Sequence, residues 1–60
     1  MTIRYLIDFC KEKIAEYPNL EQEIIELYQL AKDEMSDGQS EFNEVGLAIQ
    51  SINELIEQSI

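Results

Sequence analysis

The sequence has no histidine and no tryptophan, and it has one cysteine (Cys10), one proline (Pro18) and two glycines, Gly38 and Gly46. Without histidine there is no side chain whose ordinary pKa lies near neutrality, which removes the usual proton shuttle. It also removes any Cys/His zinc site of the common spacing. One cysteine forms no internal disulfide, and two separated glycines make no glycine-rich phosphate loop. Positive charge is scarce too: four bases stand against thirteen acids, a formal net charge of -9. Phosphate backbones and anionic membranes select for Lys and Arg, so direct nucleic-acid and membrane binding are not expected. No apolar run approaches the roughly 18 residues of a spanning helix. No signal-like segment opens the chain, and the cysteine is unpaired, so a reducing cytoplasm is the expected location.

Catalysis needs a nucleophile with its base, a metal constellation or a cofactor cradle, and the residues for these are missing. A non-catalytic protein without a cofactor is therefore expected. Cys10 has Lys11 and Lys13 nearby, which would lower a thiol pKa. Its position among Ile3, Leu6, Ile7 and Ile14 instead assigns it to an apolar face as a packed thiol.

What is present is helical periodicity. Apolar residues recur at Ile3, Leu6, Ile7, Cys10, Ile14 and Tyr17, steps of three and four that stack on one helix face. The spacing predicts a helix over 3–16, capped by Thr2 and ended by Pro18. Leu20, Ile24, Leu27, Tyr28, Ala31 and Met35 repeat the pattern and predict a helix over 20–35, opened by an Asn19–Gln22 variant of the capping box. Gly38 supplies a left-handed residue after it, and Ser40 caps a third helix over 41–58. There Phe42, Val45, Ile49, Ile52 and Ile56 alternate three and four, widened by Ala48 and Leu55. Connections this short make sequential helices antiparallel neighbours. The expected fold is all-α, a single helical domain over 1–60 built as a small antiparallel three-helix bundle. The alternative is a helical hairpin with its third helix packed on a second chain.

A folded chain of this length buries only about 60% of the surface its unfolded form exposes, and such chains are usually reinforced by disulfides, a metal or association. The first two lack their residues, which leaves association. Large apolar residues also lie off the core stripes: Tyr5 and Phe9, Ile25 and Leu30, and Leu47. A homodimer is expected, with Phe9, Ile25, Leu30, Leu47 and Ile52 as its apolar interface and the heptads of the third helix as its seam.

Charge is placed unevenly. Residues 1–16 balance three bases against three acids, whereas the remainder has ten acids and only Lys32. The candidate partner-binding face consists of Glu23, Glu26, Asp33, Glu34, Asp37, Glu41 and Glu44. Asp33, Glu34 and Asp37 crowd a helix C-terminus, where the dipole disfavours negative charge. The stretch Asp33 to Glu44 also resembles the twelve-residue loop of the EF-hand calcium-binding family. Asp33, Asp37, Gly38, Glu41 and Glu44 fall at its first, fifth, sixth, ninth and twelfth positions. It departs from the pattern at Met35, which stands at the third ligand position, at Ser40, where a buried aliphatic is usual, and at Lys32.

The leading functional expectation is an interaction module that presents its acidic face to a basic protein partner. Its sharper form is an inhibitor that mimics nucleic acid. In size and charge the chain is similar to small phage-encoded inhibitors of host enzymes, with no motif in common. The alternatives are weak calcium binding through Asp33, Asp37, Glu41 and Glu44, and a purely structural oligomerisation module.

Overall fold

The computed structural model describes residues 2–60, which form α1 (Ile3–Glu16), α2 (Glu21–Ser36) and α3 (Glu41–Ser59). No strand occurs among the described residues. Thr2, in an extended conformation, caps α1 by accepting a hydrogen bond from the Tyr5 N–H. Pro18 then stops α1 at Glu16 because it disfavours helical geometry in Tyr17, whose φ of -131° and ψ of 68° leave the helical region.

The chain reverses through a 3-10 turn, Pro18–Leu20, closed by the Leu20 N–H donating to the Tyr17 carbonyl. This corrects the expected start of the second helix. Asn19 lies inside that turn, and Leu20, the residue before α2, offers no side-chain cap. Glu21 and Glu23 place negative charge in the first turn instead, where the helix dipole favours it.

The far end of α2 closes as the sequence implies. Gly38 adopts φ 100° and donates to the Met35 carbonyl, while the Gln39 N–H reaches back to Glu34. This pair of bonds is the Schellman arrangement that satisfies the last carbonyls of a helix. Ser40 follows as the cap of α3, accepting from the Asn43 N–H.

Both other helices pack on α3, so the third helix completes the bundle within its own chain rather than on a second one. The radius of gyration of 10.9 Å is close to the roughly 10.4 Å of a compact chain of this length. Leu6 of α1, Ile24 of α2 and Val45 and Ile52 of α3 are fully enclosed, joined by Cys10, Leu20, Ala31, Ala48 and Ile56. Each large side chain so enclosed contributes about 1.5–3 kcal/mol of transfer free energy. Two sequence assignments change here. Phe42 belongs to the predicted core stripe, yet it is 63% exposed in the first turn of α3. Ile52, predicted at an intermolecular interface, is 0% exposed and contributes to the core alone.

An acid-rimmed groove between two helices

Because α2 and α3 run antiparallel, the first half of α2 faces the second half of α3 and the reverse. One flank of each helix thereby lines a continuous groove on the molecular surface. Leu27 and Leu55 form its floor, half-buried against the core, together with the small residues Ala31 and Ala48. Leu30 and Leu47 stand up from it, 58% and 56% exposed. Ser51 lies midway along, shared by both ends.

The rim is acidic. Glu23, Glu26 and Glu34 project from α2, and Glu44 and Glu54 from α3. Among the described residues no basic side chain lines the groove. Arg4, Lys11 and Lys13 are carried by α1, and the Lys32 ammonium stands 5.7 Å over the Tyr28 ring. Among the described residues the one ion pair, Lys13 with Glu16 at 3.4 Å, lies within α1.

Four residues of the expected acidic face, Glu23, Glu26, Glu34 and Glu44, therefore meet along this groove. Asp33, Asp37 and Glu41 do not line it. Asp33 and Asp37 sit at the end of α2, where the Asp37 N–H donates to the carbonyls of Asp33 and Glu34. Glu41 accepts a hydrogen bond from the Ile3 N–H at 2.6 Å and flanks a separate depression with Lys32 and Met35. Glu54 was not among the expected site residues. The signal for it was present, since Glu44, Leu47, Ser51, Glu54 and Gln58 repeat in steps of three and four beside the core stripe of α3.

The expected apolar interface also divides. Leu30 and Leu47 share the groove, whereas Ile25, 41% exposed, lies on another face with Ile7, Ile14 and Tyr28. Phe9 is half-buried against the core, with the Lys13 ammonium 5.5 Å from its ring centroid. Cys10 lies beneath the Ile25 patch, and burial pushes its thiol pKa up, the opposite of activation. The EF-hand-like stretch does not form a ligand loop. Asp33 is within α2, Glu41 and Glu44 open α3, and the Gly38 turn separates them. Among the described residues no three acidic or cysteine side chains gather as metal ligands. No described helix is long and apolar enough to cross a membrane.

Comparison with family models, curated proteins and solved structures finds no match to this chain.

Proposed function

We propose that this chain is a non-catalytic interaction module that binds a basic protein partner through the α2–α3 face. One observation carries the reading: among the described residues every charged side chain lining the groove is a carboxylate, with no basic neighbour lining it. Carboxylates held together in this way raise the local negative potential, speed encounter with a cationic surface and penalise anionic competitors. Leucines between them offer apolar area that a purely solubilising face would not need. The test is capture from the native cell extract at low and high salt, using the intact chain and a Glu23→Lys/Glu26→Lys/Glu54→Lys variant, followed by titration with the purified partner. A salt-sensitive protein held only by the unaltered chain supports the reading. Identical capture by both contradicts it.

A second reading, self-association, is favoured by the Ile25 patch, where Ile7, Ile14 and Tyr28 surround Ile25 and, among the described residues, Lys11 is the one charged side chain lining it. A homodimer across this face keeps the carboxylates of α2 and α3 apart, which the groove would not. Sedimentation equilibrium of the unaltered chain beside Ile25→Asp tests it. A dimer that Ile25→Asp dissociates is the expected result, and a monomer throughout contradicts it.

A further inference from the structure

We propose that the α2–α3 groove is the seat of a single amphipathic helix from the partner, with an apolar stripe spaced i, i+3/i+4, i+7 and Lys or Arg on both flanks of that stripe. This rests on the reading of the acidic face as a binding surface and specifies what it binds.

Shape supports a helix. The groove follows the seam between two packed helices. At about 1.5 Å per residue, the stretch from Glu23 to Glu34 is about 17 Å long and that from Glu44 to Gln58 about 21 Å. An occupant of three to four helical turns matches this length. Ala31 and Ala48 keep the floor low in the half nearer the end of α2 and the start of α3, so a helix can approach between the raised Leu30 and Leu47. Its stripe would bury against Leu27, Leu30, Leu47 and Leu55, turning an open two-helix face into part of a four-helix arrangement.

Charge identifies the occupant. With Glu23, Glu26 and Glu34 on one bank and Glu44 and Glu54 on the other, a helix in the groove has carboxylates along both flanks. Lys or Arg there would meet them, and Asp or Glu would be repelled. A second copy of this chain fits poorly. Its own groove would bring glutamate rims against glutamate rims, and each chain has a formal net charge of -9.

The probe is a synthetic helical peptide of about four turns with Leu at the stripe and Lys on both flanks. Two controls accompany it, one with every Leu replaced by Ser and one with every Lys replaced by Glu. Amide shifts of the intact, isotope-labelled chain are followed during titration. The Leu/Lys peptide is expected to perturb Glu23–Glu34 and Glu44–Gln58 and to gain helicity. Either control should bind at least about tenfold more weakly, as should the Leu/Lys peptide to Leu30→Asp or Leu47→Asp. Both leucines are exposed, and Glu26→Lys provides a variant that leaves the apolar surface intact should either aspartate disturb folding. Equal binding by the Ser peptide, with shifts at acids throughout the chain, would overturn the helical seat while leaving a basic partner in place. No binding by any peptide up to about 1 mM would overturn both readings. A dimer of the unliganded chain that Leu30→Asp dissociates would assign the groove to a second copy and overturn the proposal.

Discussion

The carboxylate of Glu41 accepts a hydrogen bond from the backbone N–H of Ile3, joining the first residue of α3 to the first residue of α1 across thirty-eight positions of sequence. The first turn of α1 has no acid of its own. Glu41 supplies from another helix both an acceptor for an orphan donor and the negative charge that the α1 dipole favours. It also holds α1 and α3 with their N-termini together, the arrangement that leaves α2 antiparallel to both. Replacing Glu41 by Ala should cost about 1 kcal/mol, comparable to the loss of a helix cap. Glu41→Gln should cost less, because an acceptor remains. Urea unfolding of the two variants measures the difference, and equal, negligible losses would show that the bond contributes nothing.

Gly38 offers a sharper test of the α2–α3 connection. Its φ of 100° lies where L side chains are strained, and an added Cβ would meet no atom within 4 Å. Gly38→Ala should therefore lose stability by backbone strain alone, about 1–2 kcal/mol. Thermal unfolding should shift down by several degrees with the helical spectrum unchanged. An unchanged midpoint would mean that the turn can adopt another conformation at little cost.

Like charges outnumber attractive pairs throughout α2 and α3, and the one ion pair among the described residues, Lys13–Glu16, is local to α1. Screening should therefore relieve more repulsion than attraction, and stability at neutral pH should rise with added sodium chloride. Neither Lys11 nor Lys13 forms an ion pair with an acid of α2, which would act in the opposite sense. A fall in the urea midpoint with salt would require attractions that are absent among the described residues.

The Cys10 thiol provides a pH signature. Burial raises its pKa, so the folded state favours the neutral thiol. That contribution is complete below the unfolded-state value of about 8.5. As pH climbs above it the unfolded chain ionises first, and the contribution is lost progressively through the raised folded value. Stability of the unaltered chain should decline as pH rises past the ordinary thiol range, more steeply than that of Cys10→Ala. Parallel pH profiles would contradict the burial account.

Helix limits and most caps were legible because they depend on neighbours in sequence: Thr2, Pro18, Gly38 and Ser40 act on residues no more than four positions away. Asn19 misled because Pro18 can start a 3-10 turn as readily as it can precede a cap. The groove was only half legible. Periodicity separates a core stripe from the rest of a helix, but it does not say which flanks meet after folding. Ile25 and Leu30 both lie off the α2 stripe, yet five residues at about 100° each place them about 140° apart around the axis. Packing therefore sends Ile25 to the α1 side and Leu30 to the α3 side. Phe42 shows the converse error. It keeps the stripe's spacing but lies one turn before Val45, beside Gln39 and Asn43, where the stripe outruns the core.

If carboxylates on both banks of the α2–α3 groove select a basic partner helix, exchanging charges between the two sides should exchange the preference. The measurement is the affinity of the Leu/Lys peptide and of its Leu/Glu counterpart for the unaltered chain and for Glu23→Lys/Glu26→Lys/Glu54→Lys. Each altered position is exposed, so the bundle should persist. A crossed result is expected: the unaltered chain prefers the Lys-flanked helix, and the variant prefers the Glu-flanked one, each by about tenfold or more. Retention of the Lys-flanked preference by the charge-reversed variant would contradict it.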